Sequence, residues 1–177
     1  MVENSGAGIS ALRVGMGFDA HRFATPDEQR ELWLACMRWE DAEGEGVSGL
    51  SGDSDGDVVA HAVIDALLSA SNQGDIGSFF GVGPTSKGSG MHGRDMIREI
   101  AIMLAGRGWS INGASVVVVT QQPNISTRRQ EAEMSMSQAL GAPVTLTAST
   151  TDGMGFTGHG EGMAAMATAT LIRQTVL

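Results

Sequence analysis

Asp19 and His21 stand one residue apart in RVGMGFDAHRF, and His61 lies further on in GDSDGDVVAHAVIDALL, four positions after Asp57 and four before Asp65. A strand sends alternate side chains to the same side, so a strand end presents Asp19 and His21 together. A helix brings residues four apart onto one face, which Asp57, His61 and Asp65 can share. Asp19, His21 and His61 then combine two imidazoles with a carboxylate. That is the ligand set of an open catalytic zinc site, whose fourth position is left to water or substrate. Residue type alone makes this a weak signal, because Asp-x-His pairs are common and a lone helical histidine is more often satisfied in the core. The stretch Gly52–His61, with aspartates at Asp53, Asp55 and Asp57, reads equally as an acidic surface loop or as a site.

The elements that must position these residues follow from pattern. Leu12–Phe18 alternates large apolar with small residues, which predicts a strand delivering Asp19 and His21 at its end. Leu32–Trp39 is a second strand candidate. The acidic segment Glu40–Gly46 opens a glycine-rich loop and reads as solvated. Asp57 is a candidate N-cap for a helix from Val58 to about Ser71, and a loop from Asn72 to about His92 follows. An amphipathic helix begins at Arg94 and ends on glycine, and Ser115–Thr120 is a β-branched run suited to a buried strand. After Pro123 comes a polar-faced helix with Ser126 as candidate cap, then a strand from Pro143. The closing stretch Gly162–Leu177 suits helix by its alanines and strand by its threonines. Strands alternating with helices predict a mixed α/β, or α+β, architecture.

Composition narrows the function classes. A chain of 177 residues with 42% hydrophobic content makes a single domain over 12–177 the expectation, preceded by a disordered leader at 1–11. The net charge of -9, with 11 Lys+Arg, argues against partners such as nucleic acid or an anionic membrane surface, and leaves an anionic substrate in need of metal ions. The single cysteine, Cys36, excludes an intrachain disulfide and reads as a small buried residue. No apolar run approaches the roughly 20 residues of a membrane span. The expected location is the cytoplasm.

The order of rarer motifs is more specific. RVGMGFDAHRF from Arg13, SDGDVVAHAVIDALLSASNQGDIGSFF from Ser54 to Phe80, and TTDGMGFTGHGEGMAA from Thr150 resemble, in order, the motifs of the 2-C-methyl-D-erythritol 2,4-cyclodiphosphate synthase family. The resemblance implies helices packed on one face of a mixed β-sheet, with three subunits forming a barrel-like trimer core and active sites between neighbours. The closing stretch would then be a strand. It implies cyclisation of 4-diphosphocytidyl-2-C-methyl-D-erythritol 2-phosphate: the 2-phosphate attacks the β-phosphorus and CMP leaves. It implies zinc or another divalent cation at Asp19, His21 and His61, and magnesium or manganese on the substrate diphosphate near Asp152. Substrate contacts are implied for Asp19, His21, Asp53, Ser54, Asp75, Ile76, Gly77, Pro123, Ser149, Thr150, Thr151, Asp152, Phe156 and His159, with Asp53 and Thr150 at catalytic positions.

The chain also departs from the family pattern. Asp53 stands where the family has a histidine thought to stabilise the reacting phosphates, and an ionised carboxylate there repels them unless a cation or proton intervenes. FFGVGP, Phe79–Pro84, replaces Phe-Pro-Asp-Thr-Asp-Pro, so Gly81 and Gly83 take the place of two carboxylates. Asn124 and Gly153 replace lysines, Asp152 a glutamate, and His159 an arginine that helps bind phosphate at the trimer centre. Two readings stay open: a working synthase that leans on its second metal, and a relative that binds a phosphorylated or isoprenoid ligand without cyclising it. An unrelated metallohydrolase would rest on Asp19, His21 and His61 alone.

Overall fold

Glycines decide how closely the first strand approaches its helix. In β1 (Leu12–Arg22), Gly15 and Gly17 face α2 (Val58–Ser71), where a Cβ on either would sit 2.0 and 2.1 Å from the Ala66 and Ala62 carbonyl oxygens. Only a residue without a side chain permits that contact. The same alternation sends Val14, Met16 and Phe18 to the opposite face, where they are 64%, 72% and 57% exposed. Asp19 and His21 continue the helix-facing register.

The computed structural model describes residues 11–173, so the leader, apart from Ala11, and residues 174–177 lie outside the described residues. β1 pairs antiparallel with β6 (Gly162–Arg173), from Leu12 opposite Ile172 to Arg22 opposite Gly162. β6 pairs antiparallel with β4 (Trp109–Val119), which pairs in parallel with β5 (Val144–Ser149). The sheet order is β1-β6-β4-β5. The closing segment is therefore a strand to Arg173, its small residues Ala165, Ala167 and Ala169 buried toward the helices. α2 packs across β1 and β6 and against α4 (Gly93–Gly106), while α5 (Arg129–Leu140) packs on β5. The buried side chains form one contiguous core.

Several sequence expectations need correction. Leu32–Trp39 is a hairpin of β2 (Trp33–Leu34) and β3 (Met37–Arg38), because Ala35 and Cys36 turn the chain at φ 55° and 64°. That left-handed pair is held by the Asp57 carboxylate, which accepts from Ala35 N at 2.8 Å and Cys36 N at 2.6 Å. The Glu40–Gly46 stretch contains a short helix, α1 (Glu40–Gly44), and the loop after Asn72 contains α3 (Ile76–Phe80), capped by Asp75. Ser126 is not the cap before α5: Asn124 caps a 3-10 turn over Ile125–Thr127 by accepting from Ser126 N. Cys36 is buried as expected, and burial pushes its thiol well above the ordinary value.

Candidate metal centre

The β1 register and the first turns of α2 bring Asp19, His21 and His61 together, with one ligand atom from each within 4.8 Å of the others. Asp19 Oδ2 lies 3.0 Å from His21 Nε2 and 2.9 Å from His61 Nδ1. His21 Nδ1 is 2.7 Å from the Ser51 carbonyl, to which it can only donate; Nε2 therefore donates to Asp19 when the ring is protonated and offers its lone pair to a metal when the ring is neutral. His61 Nε2 meets Ser54 Oγ at 3.1 Å. Each imidazole thus has an oxygen orienting the nitrogen that faces away from the cluster, the usual support of a metal-binding histidine. The donor set fits a divalent cation, and the group could hold one.

Electrostatics agrees with that reading. Burial alone would raise the Asp19 carboxyl, but its hydrogen bonds to His21 and His61 and their charges hold it well below the ordinary carboxylate range. Burial works to lower His21, yet the hydrogen bond and charge of Asp19, with the Ser51 carbonyl and Asp55, push it above its ordinary value. A cation bound here replaces those protons as the counter-charge to Asp19.

The other aspartates of α2 do different work from that expected of a shared face. Asp57 is fully buried, caps α2 by accepting from Ala60 N at 3.0 Å, and pins the Ala35–Cys36 turn. Burial and the nearby Asp55 raise its carboxyl. Asp65 accepts from Ile76 N at 2.7 Å and so anchors the GDIG loop to the helix that carries His61. Sequence reading gave the Asp57 cap but missed its hold on the Ala35–Cys36 turn and the hold of Asp65 on the GDIG loop, since those backbone amides are distant in the chain.

Asp19, His21, Asp53, Ser54, His61, Ile76 and Gly77 line one cavity of about 190 Å³ with Phe80, Gly81, Val82, Ser86, Gly88 and Met96. Asp75, next to Ile76, is not in that lining but caps α3, accepting from Ser78 N at 2.7 Å; hydrogen bonds from Ser78 side chain and backbone lower its carboxyl, so it stays an ionised acceptor. Asp53 Oδ2 accepts from Gly83 N at 2.7 Å. The remaining candidates line none of this cavity. Pro123 lies in the loop before α5, and Ser149, Thr150, Thr151, Asp152 and Phe156 run from the end of β5 into α6 (Gly155–Gly158). There Thr150 Oγ1 donates to Asp152 Oδ1 at 3.3 Å, and Asp152 turns the chain at φ 50°. His159, 3.5 Å from Glu161, borders a separate hollow beside Gln121 and Gln122.

Comparison with known proteins places this geometry. The YgbB family model matches residues 12–172. The chain is 52% identical over 168 residues to the 2-C-methyl-D-erythritol 2,4-cyclodiphosphate synthase of Bifidobacterium longum, covering 92% of this chain and 97% of that one. Among solved structures it is similar to the bifunctional IspDF of Campylobacter jejuni, at TM-score 0.80 and 27% identity over 93% of this chain and 43% of that one. It is also similar to a 2C-methyl-D-erythritol-2,4-cyclodiphosphate synthase in a CDP-bound form, at TM-score 0.74 and 29% identity over 90% and 99% of the two chains. The chain that gathers Asp19, His21 and His61 at the foot of this cavity therefore belongs to the YgbB family, the family of the 2-C-methyl-D-erythritol 2,4-cyclodiphosphate synthases.

Proposed function

We propose that this protein cyclises 4-diphosphocytidyl-2-C-methyl-D-erythritol 2-phosphate to 2-C-methyl-D-erythritol 2,4-cyclodiphosphate. A 2-phosphate oxygen bonds to the β-phosphorus, the bridge to the α-phosphate breaks, and CMP departs with the bridging oxygen. The observation that carries the reading is the Asp19, His21 and His61 cluster, supported on both imidazoles and opening on a cavity, in a chain whose relative at 52% identity bears this enzyme's name. That likeness over nearly the whole of both chains favours a working synthase over the binding-only reading.

Asp19, His21 and His61 would hold zinc, and Asp152 would sit beside magnesium or manganese carried by the diphosphate. Bound there, a divalent cation neutralises phosphate charge and polarises phosphorus toward attack. The protein's own groups do the positioning. Ser51 and Ser54 orient the imidazoles, Asp65 fixes the GDIG loop, and Asp75 accepts hydrogen bonds from substrate hydroxyls. Asp53 and Thr150 flank the reacting phosphates, with Ile76 and Gly77 against the polyol and Pro123 near the base. Residues 12–177 act as one catalytic domain, in the cytoplasm.

A homotrimer completes the site. Leu12, Val14, Met16, Phe18 and Met166 form an exposed apolar face on the sheet side without helices, as an interface requires. The strand-end group Ser149–Asp152 lies outside the metal cavity, which accords with its serving a neighbour's site. The test is CMP release by purified protein supplied with zinc and with magnesium or manganese. Release that depends on those ions is expected; its absence under every metal condition would overturn the reading.

A further inference from the structure

Among the described residues, Ser86 Oγ is the one buried side-chain polar atom with no hydrogen-bond partner. The loop around it uses other groups for its own shape. Ser86 N donates to the Gly83 carbonyl at 3.0 Å and Gly88 N to the Phe80 carbonyl at 2.9 Å. Asp53 ties down the two sides of the loop, its carboxylate accepting from Gly83 N at 2.7 Å and its carbonyl from Gly90 N at 2.8 Å. Gly81, at φ 79°, leaves room for the serine: a Cβ there would lie 3.0 Å from Ser86 Cβ. A loop so fully bonded through its backbone has no structural use for the hydroxyl, and a buried unpaired hydroxyl is costly to the fold.

The cavity that Ser86 lines says what would satisfy it. Within its lining the Asp19, His21 and His61 cluster suits a cation and hence an anion such as phosphate. Ile76, Phe80, Val82 and Met96 line the same cavity and fit a short carbon skeleton. A volume of about 190 Å³ is below the range usual for a whole drug-sized ligand, so the cavity takes only the polyol part of a nucleotide-linked substrate. We propose that Ser86 is a specificity-determining residue whose hydroxyl hydrogen-bonds a hydroxyl group of the substrate's polyol phosphate portion. The proposal rests on the function proposed above.

Calorimetry tests it with two ligands, CDP, which lacks the polyol, and 2-C-methyl-D-erythritol 2,4-cyclodiphosphate, which keeps it, on the unaltered protein and Ser86→Ala. The expected result is a loss of about five- to tenfold in affinity for the cyclodiphosphate, the value of one hydrogen bond, with CDP affinity unchanged. The thermal midpoint of Ser86→Ala should not fall, since no internal bond is lost. Unchanged cyclodiphosphate affinity, parallel weakening of both ligands, a lowered midpoint or failure to fold, or an unaltered protein that does not bind the cyclodiphosphate would each overturn the assignment. CMP release by the unaltered protein separates the two claims. Discrimination at Ser86 without release removes the proposed reaction alone, and release without discrimination removes only the role of Ser86.

Discussion

The Asp19, His21 and His61 cluster and the loop from Gly81 to Gly90 line one cavity and are built in opposite ways. Asp19 and His21 project from β1 and His61 from α2, and both imidazoles are braced by oxygens outside the cluster. β1 is pressed onto α2 so tightly that Gly15 and Gly17 tolerate no side chain. The loop has no helix or strand, takes left-handed backbone at Gly81, Gly83 and Gly90, and is held to Asp53 by two hydrogen bonds. The groups that could hold an ion stand on regular structure, while the other wall is a loop held through its backbone hydrogen bonds. The departures from the family pattern at Asp53, Gly81 and Gly83 fall on that loop and its anchor, and none falls on the three ligands.

This contrast can be broken most sharply at the rigid wall. His61→Ala removes a ligand outright, so its effect should exceed the roughly 10- to 100-fold loss typical of removing an outer partner, in both zinc affinity and CMP release. Equilibrium dialysis beside the CMP assay checks this, with circular dichroism to confirm folding; activity within tenfold of the unaltered protein would show that the cluster is not the metal centre. A milder change is Ser54→Ala, which leaves every ligand in place and frees His61 Nε2. Zinc affinity should fall by about tenfold, the lower end for an outer partner.

The smallest effect belongs to the loop wall. Asp53→Ala removes one exposed hydrogen bond, worth about 1 kcal/mol, and should speed amide exchange at Gly83 by about fivefold while leaving zinc affinity alone. Asp53→Asn keeps an acceptor oxygen and should restore protection. If Asp53→Ala weakens zinc as strongly as Ser54→Ala does, the two walls are coupled and the distinction drawn between them fails.

Much of this was legible from pattern. The alternation of Leu12–Phe18, the cap at Asp57 and the spacing of the α2 helix are local signals, and they locate Asp19, His21 and His61 on their elements. Less legible were features made by distant backbone. Leu32–Trp39 looks like one strand because its composition is strand-like, and it becomes a hairpin only because Asp57 stabilises two left-handed residues at its centre. Ser126 and Asn124 are both good caps by type, but a 3-10 turn over Ile125–Thr127 intervenes before α5, so Asn124 caps that turn and Arg128 takes the N-cap position of α5. The closing segment, apolar and threonine-rich, is ambiguous by itself and becomes a strand because β1 and β4 flank it.

By itself the sequence determined the ligand types, their order and the periodicity that turns each toward one side of its strand or helix, since those depend on neighbours in the chain. Only the tertiary structure decided that Asp19 meets both histidines at about 3 Å, that Ser51 and Ser54 brace them, and that Ser86 is left unpaired in the same cavity. The reason is physical: hydrogen-bond distances and buried unpaired atoms are set by how closely separate segments pack, and here that closeness comes from two glycines lying against the carbonyls of one helix.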